Sequence, residues 1–369
     1  MSDKNFMWPD YKNCSANLPN SIMKKFGVQT VGDTLPLLDE YLKKDYKNIV
    51  VILLDGMGIN ILENNLKEDD FFRTHLAGEY NSVFPPTTVA ATTSVMNGLM
   101  PCEHGWLGWD CYYPQIDKNV TVFLNSEQGS DEQAADYNVA NEYTGYESIF
   151  DRFEKAGAKA HLVMPFAPPF PDTFEKVANE IKSICKEDYS KYIYAYWSEP
   201  DSTMHDTGCY SNQSKEVLNK LQDQVKKLCE ELSDTLVIVT ADHGHIDSKG
   251  VTITDYPSIT ECLVRMPSIE PRALNFFVKE EKREQFENEF NKFFKDDFIL
   301  LTKEEVLKNR VFGTGTEHKN FQGMLGDYLG VAIGDVSIFN NKEEAGKFIG
   351  VHAGITADEV RIPLIICES

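Results

Sequence analysis

Three aspartates and three histidines recur at one kind of position in this chain, next to the ends of short apolar runs. Asp55 follows "NIVVILL" (48–54), Asp201 and His205 follow "KYIYAYW" (191–197), Asp242 and His243 follow "TLVIVTA" (235–241), and His352 comes before "IPLIICES" (362–369). Open sheets of strands and helices place their ligand sites at such strand ends. If the turn after residue 200 is helical, i,i+4 spacing puts Asp201 and His205 on one face. Singly, each residue has an ordinary explanation, because an Asp after a strand caps helices and Asp-His-Gly makes turns. Together they supply the mixed oxygen and nitrogen donors of a site for two divalent ions, zinc first, with manganese or iron as alternatives.

A second stretch, "SVFPPTTVAATTS" (82–94), is uncharged and rich in hydroxyls. Thr and Ser are common at turns and helix N-caps, so the stretch alone leaves open whether any of them reacts.

The apolar runs are rich in β-branched residues and end in loops, the grammar of buried parallel strands; "AHLVMP" (160–165) follows it too. Between them lie helical patterns such as 211–232, with Val217, Leu218, Leu221, Val225 and Leu228 at helical spacing. Strands alternating with helices predict an α/β fold with a mostly parallel central sheet flanked by helices. From 264 to 313 the texture changes to strand ("RALNFFV"), amphipathic helix ("EEKREQFENEFNKFF"), strand ("FILLT") and short helix ("KEEVLKN"). This predicts a small inserted βαβα cap at 264–313 on a core made of 1–263 and 314–369.

With 369 residues, 42% hydrophobic and 25% charged, the chain is expected to be a soluble globular protein of enzyme size. Its net charge of −22 excludes a nucleic-acid polymer as the main partner, yet admits a small phosphorylated substrate through locally bound cations. The first twenty residues show no apolar segment of secretory length, and no run is long enough to span a membrane, so a cytoplasmic location without membrane attachment is expected. Eight cysteines without CxxC pairs are expected to be reduced and mostly buried. Nothing in the sequence sets an oligomeric state.

Five blocks, "VVILLDGMG", "FPPTTVAATTSVMNGLMPCEHG", "YAYWSEPDSTMHDTG", "VIVTADHGHID" and "VHAGITADEVRIPLI", reach in order from about residue 48 to 366. In these blocks the chain resembles the type I phosphodiesterase/nucleotide pyrophosphatase family of the alkaline phosphatase superfamily. The resemblance implies an alkaline-phosphatase-like core and hydrolysis of phosphodiester or pyrophosphate bonds. It also implies one metal on Asp201, His205 and His352, a second on Asp55, Asp242 and His243, and Thr88 as the nucleophile. A threonine hydroxyl is a weak nucleophile at neutral pH, and a metal that favours its alkoxide answers that need. A phospho-threonine intermediate, then hydrolysed by water, follows. Thr87, Thr92, Thr93 and Ser94 are left to pack or to cap the helix.

The chain departs from the exported members of that family where they carry an Asn that contacts a nonbridging phosphate oxygen, because Trp109 stands there. Trp106, Trp109, Tyr112 and Tyr113 are candidates for a stacking wall. His245 and His104 are expected outside the metal set, and His318 and Lys319 in a solvated loop. A phosphomonoesterase or phosphomutase of the same superfamily, or a silent metal-binding protein, are the alternatives. The Cys or Ser motif that sulfatases convert to formylglycine is missing.

Overall fold

The computed structural model describes residues 6–369; the first five residues of the stretch read for a leader lie outside the described residues. Asn48–Leu54 is buried at every position. It pairs in parallel with Lys191–Trp197 on one side and Thr235–Thr240 on the other, which is why it reads as a continuous apolar run. Ala160–Val163 extends the sheet in parallel beyond Lys191–Trp197. The order of the six-stranded sheet is Leu76–Asn81, Arg361–Glu368, Thr235–Thr240, Asn48–Leu54, Lys191–Trp197, Ala160–Val163. Helices such as Phe174–Cys185 and Asn212–Glu231 bury one apolar stripe each against it.

The last strand corrects the expectation of a parallel run at the C-terminus. Arg361–Glu368 is antiparallel to both Thr235–Thr240 and Leu76–Asn81. A strand buried on both faces has the same apolar pattern in either direction, so periodicity could not tell the two apart. Direction follows from where the strand begins, at the sheet end where its neighbours finish, directly after the loop that carries His352.

The seven-stranded second sheet is ordered Phe298–Thr302, Tyr328–Ala332, Ala273–Phe276, Ser268–Glu270, Asp110–Tyr113, Lys118–Thr121, Ser126–Glu127. Helix Arg283–Phe294 covers it with Phe286, Phe290 and Phe294, four residues apart and buried. The strands and helices expected within 264–313 are present, but their sheet also takes in 110–127 and 328–332. The expected division at 264 and 313 therefore does not coincide with the limits of that sheet. The strands between 110 and 127 are short and half polar, so they carried little apolar signal of their own, whereas Tyr328–Ala332 is apolar and buried throughout but joins the sheet through strands distant in sequence.

A fully buried ion pair ties the second sheet to the His352 loop. Arg272 Nε donates to Glu359 Oε1 at 2.7 Å and its Nη2 to Oε2 at 2.8 Å, with both side chains excluded from solvent. Nη1 also donates to the Val336 carbonyl and Nη2 to that of Gly334, and Glu359 also accepts from the Gly354 amide. The eight cysteines are unpaired and six are buried. No helix among the described residues is long and apolar enough to cross a membrane.

Removing one partner of such a pair leaves an uncompensated buried charge. Arg272→Ala is expected to destabilise the fold by about 3–5 kcal/mol, read by denaturant unfolding; a loss under about 1 kcal/mol would show the pair to be dispensable.

Candidate active site

Asp55, Asp201, Asp242 and His243 sit at the C-terminal ends of the three central parallel strands. The Asp55 amide donates to the Trp197 carbonyl and the Asp201 amide to the Asp55 carbonyl, so adjacent strand ends hand these residues to each other. Two glycines allow the close approach. Gly56 has φ +72°, and a Cβ there would lie 2.8 Å from the His245 ring and 3.1 Å from Asp201 Cβ. A Cβ on Gly244 would lie 1.9 Å from the Asp358 carbonyl oxygen.

The structure brings all seven expected residues together in two adjoining groups. In one, Asp201 opens the helix Asp201–Thr207, and its Oδ1 lies 3.3 Å from His205 Nε2 and 3.8 Å from His352 Nε2. In the other, His243 Nε2 lies 3.3 Å from Asp55 Oδ1 and 3.6 Å from Asp242 Oδ2. Thr88, the first residue of helix Thr88–Asn97, has its Oγ1 3.5 Å from both Asp55 oxygens and 3.3 Å from His243 Nε2. Asp55, Asp201 and His243 themselves offer ligand atoms within 4.8 Å of one another, so the groups are contiguous.

The donor set fits divalent cations. His205, His243 and His352 direct Nδ1 at the carbonyls of Gly350, Gly244 and Pro86, at 2.7, 3.0 and 3.2 Å. A carbonyl only accepts, so Nδ1 carries the proton and Nε2 turns its lone pair towards the carboxylates. Lone pairs and carboxylate oxygens facing each other at these distances call for a positive ion between them. Asp242 Oδ1 accepts from the Gly56 and His243 amides, whereas its Oδ2 is buried without a hydrogen-bond partner. Burial first, then the charge of Asp201 on Asp55 and of Asp55 on Asp242, raises the carboxyls of Asp55 and Asp242 well above the usual range. Burial also acts to raise Asp201, but the imidazoles of His205, His245 and His352 outweigh it and hold that carboxyl low.

Three neighbours were given no such place by sequence reasoning. His245 Nε2 lies 2.5 Å from Asp201 Oδ1, inside the group of Asp201, His205 and His352, closer than its expected place outside the metal set suggested. Its signal was present as the second His of "DHGH". Tyr196 donates a short hydrogen bond to Asp55 Oδ2. Glu270 accepts from Thr87 Oγ1 at 2.6 Å and from the Trp109 amide at 2.8 Å, and burial pushes its carboxyl up to about 7. No local motif marks Tyr196 or Glu270; Ile269, at φ +78°, is a backbone conformation that β-branched residues rarely take.

The other candidates fall elsewhere. Thr87 is the N-cap residue of its helix but makes no side-chain cap, being engaged by Glu270. Thr92 bonds the Thr88 carbonyl, and Ser94 bonds the buried His104. Of the expected aromatic wall only Trp109 lines the cavity beside Thr88: Trp106 is buried with Nε1 on the Thr144 carbonyl, Tyr113 is core, and Tyr112 stacks under Arg265. That cavity, of about 380 Å3, also takes in Asp201, His205 and His352, but neither His318 nor Lys319.

Residues 49–353 match the model of the family described as type I phosphodiesterase / nucleotide pyrophosphatase. Among solved structures, murine ectonucleotide pyrophosphatase/phosphodiesterase 5 superposes with a TM-score of 0.66 at 18% identity, over 87% of this chain and 88% of that one. Its human counterpart gives 0.65 at 16% identity, over 87% of each. Phosphonoacetate hydrolase from Sinorhizobium meliloti 1021, in complex with phosphonoformate, gives 0.64 at 14% identity, over 92% of this chain and 93% of that one. These likenesses establish the fold, and the family match spans most of the chain: it belongs to the type I phosphodiesterase/nucleotide pyrophosphatase family of phosphoester hydrolases.

Proposed function

We propose that the chain is a two-metal-dependent hydrolase that cleaves phosphodiester or pyrophosphate bonds of a small molecule through a phospho-threonine on Thr88. The observation that carries this reading is the Thr88 hydroxyl, set at the start of a ten-residue helix within 3.5 Å of Asp55 and His243 and open to the cavity. One murine relative is described as inactive in a threonine-to-alanine variant, in complex with AMP, which supports a threonine in this role.

Asp201, His205 and His352 would hold one ion; Asp55, Asp242, His243 and Thr88 Oγ1 would hold the other. Bound there, divalent ions, zinc first, supply Lewis acidity that favours the threonine alkoxide and offsets phosphoryl charge. The protein contributes position. The amides of Thr88, Val89 and Ala90 are the orphan donors of the helix's first turn and, with the dipole, favour a phosphoryl oxygen. Tyr196 and His245 hold the carboxylates of Asp55 and Asp201 in place by hydrogen bonds.

In the first step Thr88 Oγ bonds to phosphorus and the bond to the leaving oxygen breaks. The hydroxyl proton leaves through solvent, and the departing oxygen takes one up from it. In the second step a water oxygen bonds to phosphorus, the Thr88 Oγ–phosphorus bond breaks, and Thr88 recovers a proton as the second product leaves.

Thr88→Ala is expected to lower kcat on a chromogenic diester by on the order of a thousandfold or more, with metal content still near two ions per chain by elemental analysis. Thr88→Ser should keep measurable turnover; near wild-type rates in Thr88→Ala alongside loss in Thr87→Ala would move the nucleophile by one position.

Dialysis against a strong chelator is expected to abolish turnover and lower the melting temperature, both restored by zinc or manganese, because buried carboxylates then face lone pairs uncompensated. Full activity in protein shown to be metal-free would remove the two-metal reading.

A monoester dianion carries one more negative oxygen than a diester, and neither Lys nor Arg lines the cavity to meet it. An aryl methyl diester should therefore exceed the aryl monoester in kcat/KM by tenfold or more, about 1.4 kcal/mol; the opposite ranking would favour the phosphomonoesterase alternative.

A further inference from the structure

Thr87 has the backbone of a helix N-cap, yet its side chain does not cap. Its φ of −144° and ψ of 150° match those of Thr173, at −142° and 151°, whose hydroxyl accepts from the Lys176 amide. Thr302 caps its own helix in the same way, through the Glu305 amide. The Thr87 carbonyl takes the first helical bond, from the Ala91 amide at 2.9 Å, as an N-cap carbonyl does. Its hydroxyl is turned instead to Glu270 Oε1, to which it donates at 2.6 Å. The amides of Val89 and Ala90, the two that a cap oxygen takes up, are left without a partner among the described residues.

Backbone strain places that carboxylate. Ile269, directly before Glu270, is β-branched yet stands at φ +78°, and it pairs with Asp110 on the neighbouring strand. Gly108 lets the two segments approach, since a Cβ there would lie 2.8 Å from Ile269 Cγ2. The amide of Trp109, next along, donates to the same Glu270 Oε1 at 2.8 Å and fixes the oxygen that Thr87 meets. Strain of this kind persists only where the surroundings over-determine it, and it clusters at functional sites.

We propose that Glu270 is a positioning residue that withholds the Thr87 hydroxyl from the helix, and so keeps the first-turn amides beside Thr88 open to a phosphoryl oxygen. This rests on the hydrolase reading above and adds to it the residue that keeps the anion-binding end of the helix free. A cap oxygen and a phosphoryl oxygen compete for the same N–H groups. Without Glu270, the Thr87 hydroxyl turns to the helix as that of Thr173 does and occupies them. By charge alone a carboxylate beside the site would weaken anion binding, so the proposal assigns Glu270 an effect of the opposite sign.

A double-mutant cycle on the metal-loaded enzyme tests this, read by calorimetric binding of inorganic phosphate and by kcat/KM on a chromogenic diester, with metal content followed by elemental analysis. Glu270→Ala should weaken phosphate binding and lower kcat/KM by about fivefold or more, the order of what a threonine cap contributes. In a Thr87→Val background no hydroxyl can cap, and the same substitution should cost less than about twofold. Glu270 also holds the Trp109 amide, but that loss is common to both backgrounds and cancels in the cycle. Glu270→Met fills the space without a carboxylate and should repeat both results, so either variant suffices where the other fails to fold. Glu270→Gln keeps an acceptor for Thr87 and should rescue the affinity. Tighter phosphate binding in Glu270→Ala, as loss of a negative charge alone would give, or an equal loss with Thr and with Val at position 87, would overturn the proposal. If no variant and no wild-type protein hydrolyses the diester, the hydrolase reading fails, and the phosphate-binding cycle then decides the proposal alone: a loss confined to the Thr87 background upholds it, and an equal loss in both sinks it.

Discussion

Three carboxylates buried within a few ångströms of one another, with no Lys or Arg among them, are the constraint to which the rest of this structure answers. Asp55, Asp201 and Asp242 could be solvated separately at the surface at no cost, yet the parallel strands deliver them to one place. Water cannot compensate them there, and hydrogen bonds do so only in part: Asp242 Oδ2 is left without a partner. Three imidazoles are locked by backbone carbonyls into the tautomer that aims a lone pair at the same place. Such an arrangement makes physical sense only around cations. The glycines at 56 and 244 exist to let the backbone come close enough to build it.

The second sheet converts that centre from an open strand end into a cavity. The buried Arg272–Glu359 pair clamps this sheet to the loop bearing His352, so one interaction holds both a wall of the cavity and one expected ligand. The adjacent strand Ser268–Glu270 brings Glu270 against Thr87, the residue before the proposed nucleophile. Trp109 comes from a neighbouring loop and is tied to the same Glu270 oxygen through its amide. The wall that faces substrate is thus built from segments some 160 residues apart in sequence, and its negative character continues that of the whole chain.

Much of the centre was legible in the linear sequence because its determinants are short-range. An apolar run that ends in Asp-Gly, an Asp and His four apart, and an Asp-His-Gly after another run each specify a local geometry that needs no distant partner. The family resemblance lay in these same blocks. What the tertiary structure alone decided is long-range. The last strand runs antiparallel because of where the His352 loop enters the sheet, and its apolar pattern is the same in either direction. Only one of four clustered aromatics faces the cavity, since the face a side chain presents depends on which strands its own strand pairs with. Glu270 and Tyr196 reach the centre through pairings that no local spacing encodes, and His245 joins it because Gly56 leaves room for its ring. The sequence by itself determined which groups could do the chemistry; sheet pairing and the packing of one sheet on the other decided which of them meet, because contact between residues far apart in the chain is a property of the folded backbone and not of any one segment.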